Sequence, residues 1–160
     1  MKYYSHINSP VGLIEISGDD EFVRSVLFVD EANEESAELS KALRECKKQL
    51  QEYFDGKRKV FEVSLTQEGT DFQQRVWGQL MAIDFGKTRS YMQLAKALGD
   101  PKCIRAAGTA NGKNQLAIIV PCHRVVGSDG KLVGYAGGLH RKKWLLDFEA
   151  KENGALTLGL

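Results

Sequence analysis

The residues best equipped for chemistry lie in one short run, Pro121-Cys122-His123-Arg124-Val125. A thiol beside an imidazole offers a soft nucleophile and a base. An ordinary thiol, with a pKa of about 8.5, is only a few per cent ionised near pH 7, so a cysteine that attacks carbon needs such a partner. The dipeptide alone leaves two readings open, because adjacent side chains usually diverge and a cysteine after an apolar run is often a small core residue. Cys46 and Cys103, the other two cysteines, belong to no C-x-x-C or C-x-x-H cluster. Structural zinc and a disulfide framework are both disfavoured, no metal or other cofactor is expected, and a reducing cytoplasm is the expected setting.

A second group stands out by shape. Cys103, Ala106, Ala107, Gly108, Thr109 and Ala110 surround a single long side chain, Arg105. Small residues let a helix approach another surface closely, either a neighbouring helix or a nucleic acid on which Arg105 would project. Gly108 weakens the helix by about 1 kcal/mol relative to alanine, which favours a contact that needs it.

The elements that must position these groups are readable from caps and periodicity. Residues 2–7, 11–17 and 22–29 are rich in Val, Ile, Phe and Tyr, with breaks at Ser9-Pro10 and Gly18-Asp19-Asp20, and predict three strands. After Asn33, a candidate N-cap, Leu39, Leu43, Cys46, Leu50 and Phe54 form the apolar stripe of a helix ended by Asp55-Gly56. Residues 58–65 predict one more strand. A boundary is expected near Gln67-Glu68-Gly69, dividing a domain over 1–68 from one over 69–160. Thr70 and Gln73 have capping-box spacing before the helix face Phe72, Val76, Leu80 and Ile83. Ser90 caps a second helix that Gly99 closes, and Asp100-Pro101 opens a third. Helix, tight turn, helix is the pattern of a helix-turn-helix. Residues 115–120 predict an apolar strand, 125–135 a hairpin turning at Ser128-Asp129-Gly130, and a last helix carries Trp144, Leu145 and Phe148.

Composition agrees with a globular chain of one ordinary or two small domains: 160 residues, 42% hydrophobic and 27% charged. No run approaches the roughly 20 apolar residues of a membrane helix. The net charge of +1 hides a division, since residues 1–69 hold 9 basic and 14 acidic side chains and residues 70–160 hold 13 and 7. A basic second half suits a polyanionic partner, although chance segregation of surface charge gives the same counts.

Taken together, several blocks resemble the O6-alkylguanine-DNA alkyltransferase (methylated-DNA–protein-cysteine methyltransferase) family over nearly the whole chain. They are Gly69-Thr70-Asp71-Phe72, Ser90-Tyr91, Arg105-Ala106-Ala107-Gly108, Asn111, Asn114, Pro121 to Val126, Gly134 to Leu139, and Trp144-Leu145-Leu146 with Glu149. The resemblance implies an α+β chain: an N-terminal ribonuclease H-like α/β domain and a C-terminal winged-helix domain. It implies single-use transfer of an alkyl group from O6-alkylguanine in DNA, with O4-alkylthymine as a second candidate substrate, onto Cys122. In that scheme His123 is the base, acting through a water, and Glu149 holds its ring. Tyr91 donates a proton to the purine and Asn114 braces the turn that carries the cysteine. Val125, Tyr135, Ala136 and Gly137 line the pocket. Arg105, Ala106, Gly108, Thr109 and Tyr91 meet double-stranded DNA from the minor groove while the damaged base is flipped out. The partner is DNA, with no membrane, and the protein is expected to act as a monomer. Two positions depart from the family pattern: Gln115 stands where proline is usual, and Ala136 where some members carry serine.

Three other classes compete. A non-catalytic lesion sensor would lack Cys122. A damage-responsive transcriptional regulator would carry a further cysteine-rich N-terminal module. A cysteine hydrolase would turn over on esters or peptides.

Overall fold

A computed structural model describes residues 1–32 and 34–154, so the cap expected at Asn33 lies outside the described residues. The chain divides into two compact units, residues 1–68 with 115–119, and residues 69–114 with 120–160. Among the described residues, no helix is long and apolar enough to cross a membrane.

The first unit is built on an antiparallel sheet of β1 (Tyr3–Ser9), β2 (Gly12–Gly18) and β3 (Val23–Phe28), in that order. Alternation selects one face: Ile7 pairs with Ile14 and Ser5 with Ile16, and all four are buried. Helix α1 (Lys41–Phe54) packs on β1 and β2. It starts later than the apolar stripe suggested, because the Ser40 hydroxyl accepts from Leu43 N at 3.3 Å and leaves Leu39 ahead of the helix. Leu43, Cys46 and Leu50 are fully buried, and the stripe ends on Tyr53. Phe54 is only half-buried and meets the Tyr53 ring edge-on.

The strands expected at 58–65 and 115–120 do not form. The free edge of β3 is divided between them. Val23 donates to Ser64 O and accepts from Thr66 N, while Val26 donates to Gln115 O and accepts from Ala117 N. Each segment therefore gets one parallel bridge, Val23 with Leu65 and Val26 with Leu116. A six-residue edge shared by two partners cannot extend either ladder. Gln115, the departure from proline, donates its N–H to Gln67 Oε1 at 3.0 Å, a bond that proline cannot make.

The second unit holds α2 (Asp71–Met81), the two-residue strand β4 (Arg89–Ser90), α3 (Tyr91–Ala97), a 3₁₀ turn (Pro101–Cys103) and α4 (Ile104–Gly112). A second 3₁₀ turn (Cys122–Arg124), strand β5 (Val125–Val126) and α5 (Leu139–Glu152) follow. Capping boxes open both α2 (Thr70 with Gln73) and α3 (Ser90 with Gln93). Gly99, at φ +101°, makes the left-handed turn that closes α3. Helix α4 packs against α2 and α3, and Trp77 Nε1 donates to Ala110 O at 2.9 Å. β5 pairs in parallel with β4 rather than forming a hairpin. The turn at Ser128-Asp129-Gly130 is present, with Gly127 N donating to Lys131 O, but residues 131–135 form no strand.

The Thr70 cap satisfies an otherwise orphaned helix donor. Thr70→Ala should cost about 1 kcal/mol, read as a lower midpoint in urea without a change in slope.

Candidate active site

The site begins in the backbone around Pro121. Asn114 and Val120 flank the five residues that belong to the first unit, and Asn114 Nδ2 donates to Val120 O at 2.8 Å. Val120 O also accepts from Cys122 N at 2.8 Å, around Pro121 at φ −82° and ψ 64°. That is an inverse γ-turn, whose φ the pyrrolidine ring already favours. The 3₁₀ turn Cys122–Arg124 follows directly. Asn111 Nδ2 of α4 lies 3.4 Å from the Cys122 carbonyl, and the Arg89–Val125 pairing fixes the exit.

Within that turn the side chains converge on one anion. His123 Nε2 lies 2.7 Å from Glu149 Oε2. Arg124 forks onto the same carboxylate, Nε to Oε1 at 2.8 Å and a terminal nitrogen to Oε2 at 3.1 Å. Its other terminal nitrogen donates to Ile83 O at 2.7 Å, and its guanidinium faces the Phe85 ring. His123, Glu149 and Arg124 are 0%, 1% and 6% exposed. Burial alone would raise the Glu149 carboxyl, but His123 and Arg124 outweigh it and hold it well below the ordinary carboxylate range. An ionised carboxylate only accepts hydrogen bonds, so the imidazole donates to it from Nε2, which leaves Nδ1 as the ring nitrogen not engaged by Glu149. Nδ1 is buried and has no hydrogen-bond partner among the described residues.

Cys122 is buried, which pushes its thiol up; Asn114 and the charge of Lys142 partly offset this. Lys142, on α5, donates to Val133 O at 2.9 Å and Gly134 O at 3.1 Å, and its ammonium lies 5.7 Å from the Tyr91 ring centre. Tyr91 OH donates to the same Val133 carbonyl at 2.9 Å. Burial raises the Tyr91 hydroxyl, and it raises Tyr135 further, with Cys122 and Glu149 adding to the latter shift.

The structure thus brings together Cys122, His123, Glu149 and Asn114, with Tyr91 and Tyr135 at the margin. Val125 is buried in β5, Ala136 is exposed, and half-buried Gly137 accepts from Arg141 through its carbonyl. Arg105, Ala106 and Thr109 stand apart on the exposed face of α4, while Ala107, Ala110 and Asn111 fill its buried face. Gly108 lies between, and a Cβ there would rest 3.7 Å from the Tyr91 ring. Residue-level reasoning missed the roles of Arg124 and Lys142. The available signal was periodicity, since Lys142, Leu145 and Glu149 share one face of α5 and all are buried. Among the described residues, no cluster of three His, Cys, Asp or Glu side chains is placed to hold a metal.

Two family models match the chain. The ribonuclease-like domain of 6-O-methylguanine DNA methyltransferase matches residues 2–67, and its DNA binding domain matches residues 71–151. The chain belongs to the 6-O-methylguanine DNA methyltransferase family. It is 46% identical over 152 residues to the methylated-DNA–protein-cysteine methyltransferase of Methanosarcina acetivorans, covering 92% of this chain and 97% of that one. With the enzyme of the same name from Mycolicibacterium paratuberculosis it shares 43% over 160 residues, 97% of each. The crystal structure of Mycobacterium tuberculosis O6-methylguanine methyltransferase superimposes with a TM-score of 0.85 at 41% identity, over 95% of this chain and 94% of that one. The Mycobacterium tuberculosis OGT crystallised in complex with DNA gives 0.84 at 42%, over 93% of each. The architecture of this methyltransferase family, a ribonuclease-like unit followed by a DNA-binding unit, is therefore the one present here.

Two outcomes follow from the buried anion. Arg124→Met leaves Glu149 with too little compensation and should destabilise the fold by about 3–5 kcal/mol in urea unfolding. Because the native Glu149 carboxyl is depressed, its contribution is full above the unfolded value of 4.5 and is lost as pH falls toward the lower native value. Glu149→Gln should therefore flatten the acid side of a melting-temperature profile; an unchanged slope below pH 4.5 would contradict the assignment.

Proposed function

We propose that this chain repairs DNA by direct reversal, moving the alkyl group of O6-alkylguanine onto its own Cys122 in a single, irreversible turnover. The observation that carries the reading is a buried cysteine followed directly by a histidine whose far nitrogen is held by an ionised carboxylate. Burial makes the Cys122 thiolate scarce, so a base is required. His123 Nδ1 takes the thiol proton through an intervening water. The sulfur then attacks the alkyl carbon, an S–C bond forms, the C–O6 bond breaks, and its electron pair passes to the purine. Tyr91 supplies a proton to the purine ring and is reprotonated from the imidazolium. The net change moves one hydrogen from sulfur to guanine and one alkyl group the other way. The thioether product has no leaving group, so each molecule acts once.

A base stacked in duplex DNA cannot reach a buried sulfur, so the lesion is everted at a cost of a few kcal/mol. The exposed face of α4 suits the minor groove, with Arg105 filling the gap in the stack and Ala106, Gly108 and Thr109 allowing close approach. Minor-groove readout discriminates sequence poorly, which suits a search for damage anywhere. Backbone carbonyls of Cys122 and Val125 read the guanine amine, and Tyr135, Ala136 and Gly137 form the pocket lip. Asn114 braces the turn carrying the nucleophile. The protein acts as a monomer in a reducing cytoplasm, where its three unpaired cysteines stay thiols.

Incubation with duplex DNA containing O6-methylguanine should add one methyl group to the intact mass, located on Cys122 and absent in Cys122→Ala. Affinity for the duplex should fall with salt at a log–log slope of about −0.9 per phosphate contacted. A folded protein whose mass does not change with lesion DNA would defeat the proposal.

A further inference from the structure

The first unit holds a cluster of charged groups that the proposed reaction does not use. His6 of β1 lies between two glutamates. Its Nε2 is 3.0 Å from Glu15 Oε2 on β2, and its Nδ1 is 2.8 Å from Glu35 Oε2, in the chain between β3 and α1. The His6 side chain is 8% exposed. An ionised carboxylate only accepts, and a neutral imidazole carries one N–H, so both contacts are hydrogen bonds only while the ring is doubly protonated.

The other oxygen of Glu35 reaches round β1 to its opposite face, where successive strand side chains alternate. There the Ser5 hydroxyl donates to Oε1 at 2.7 Å. Lys47 of α1 donates to Ser5 Oγ at 2.9 Å and lies 3.8 Å from the same carboxylate oxygen. The next residue continues the contact: Ser36 N donates to Tyr4 O at 2.9 Å, and Tyr4 N donates to Ser36 Oγ at 3.0 Å. β1 is an outer strand, paired with β2 on one side, so residues 35–36 cover part of its other edge. Exposed edges invite pairing with another chain and are commonly shielded in this way.

We propose that residues 35–36 are a proton-gated strap over the free edge of β1, closed while His6 carries a positive charge and released when its imidazole becomes neutral. None of these bonds involves Cys122, so the strap is independent of the repair reading. The charged groups facing His6 are Glu15 from β2 and Glu35 from the strap. Lys47 of α1 meets the Glu35 carboxylate from the other face, and Lys2, on the chain leading into β1, is attracted to Glu15 and Glu34. Burial lowers the His6 imidazole, but the bonds to Glu35 and Glu15 outweigh it and leave the group above its ordinary 6.5. A group raised in this way stabilises the native state fully below 6.5, and that contribution is lost as pH rises through the native value. Deprotonation leaves one N–H for two acceptors. Glu15 is set opposite His6 by the strand register and its side chain is 15% exposed, whereas that of Glu35 is 51% exposed and can turn to water. The strap is the side that gives.

Pulsed hydrogen exchange, corrected for the intrinsic pH dependence of amides and read by peptide mass spectrometry, follows the Ser36 and Tyr4 amides at about pH 6 and about pH 8.5, either side of the imidazole range. The His6 ring is titrated in parallel by NMR. In the wild type the ring should titrate above 6.5. Both amides should lose protection about tenfold at the higher pH, the effect of about 1.4 kcal/mol. His6→Arg, which keeps its charge, should stay protected at both pH values. His6→Gln should exchange at both as the wild type does at the higher one. Glu35→Gln, at a half-exposed position, serves if the His6 variants do not fold; it should lower the ring's titration and abolish the pH dependence of protection. A wild-type ring that titrates at or below 6.5, or equal protection at the two pH values, would overturn the proposal. So would a folded His6→Gln that keeps wild-type protection on the acid side, or a Glu35→Gln ring that titrates with the wild type.

Discussion

One buried carboxylate organises the second unit. Glu149 must be ionised to hold the His123 proton on Nε2 and leave Nδ1 available, yet an isolated anion at 1% exposure would take up a proton instead. Arg124 removes that conflict. Its fork neutralises both oxygens, and its remaining nitrogen donates to Ile83 O just beyond α2. The end of α2, the 3₁₀ turn and α5 therefore meet at a single charge. The same contact that orients the imidazole also fixes the turn presenting Cys122. Replacing only the histidine would leave this anchor; replacing the carboxylate would dissolve the anchor and the orientation together.

The nucleophile is aimed by backbone devices of a different kind. Between Asn114 and Val120 the chain spends five residues in the first unit, where Val26 bonds both Gln115 and Ala117. There Ile118 sits at φ +71°, at the centre of a turn in which Ile119 N donates to Ala117 O. A β-branched residue in that region is strained, and burial of its side chain is what can hold it there. Pro121 then makes the opposite, relaxed γ-turn, and Asn114 closes the base. Rigidity at Cys122 thus comes from turns that spend their hydrogen bonds locally rather than from a ladder, which is why a regular strand does not lead into the cysteine.

What was legible in the sequence follows from how local each determinant is. The caps at Thr70, Ser90 and Asp100 involve partners two or three residues away and can be read directly. The Cys122-His123 pair alone leaves chemistry and core packing both open, and it reads as a site only beside the other blocks that resemble the family. The segments 58–65 and 115–120 read as strands because their side chains are strand-like, but the single edge of β3 that both share is invisible without the fold. Residues 131–135 failed as the second arm of a hairpin for a related reason. Their carbonyls at 133 and 134 are taken by Lys142 and Tyr91, not by a strand. Arg124 and Lys142 look like surface charges until α5 is seen to turn Lys142, Leu145 and Glu149 inward together.

The charge balance of the buried cluster suits a protein that works once. With Cys122 as a thiol and His123 neutral, the cluster holds one anion, Glu149, against the guanidinium of Arg124 and the ammonium of Lys142. That is an excess of positive charge. A thiolate forms there beside that positive charge, and the proton it gives up stays in the cluster on His123, so the net charge does not change. Low local polarity strengthens the effect, since the same pair of charges interacts several-fold more strongly in a protein interior than in water. The proposed reaction consumes that anion: a thioether is neutral and the imidazolium proton passes on to Tyr91, so neither charge of the thiolate–imidazolium pair survives. The groups that favour attack by sulfur therefore give no comparable support to the product. A site arranged in this way drives transfer forward, and nothing in its electrostatics favours undoing it.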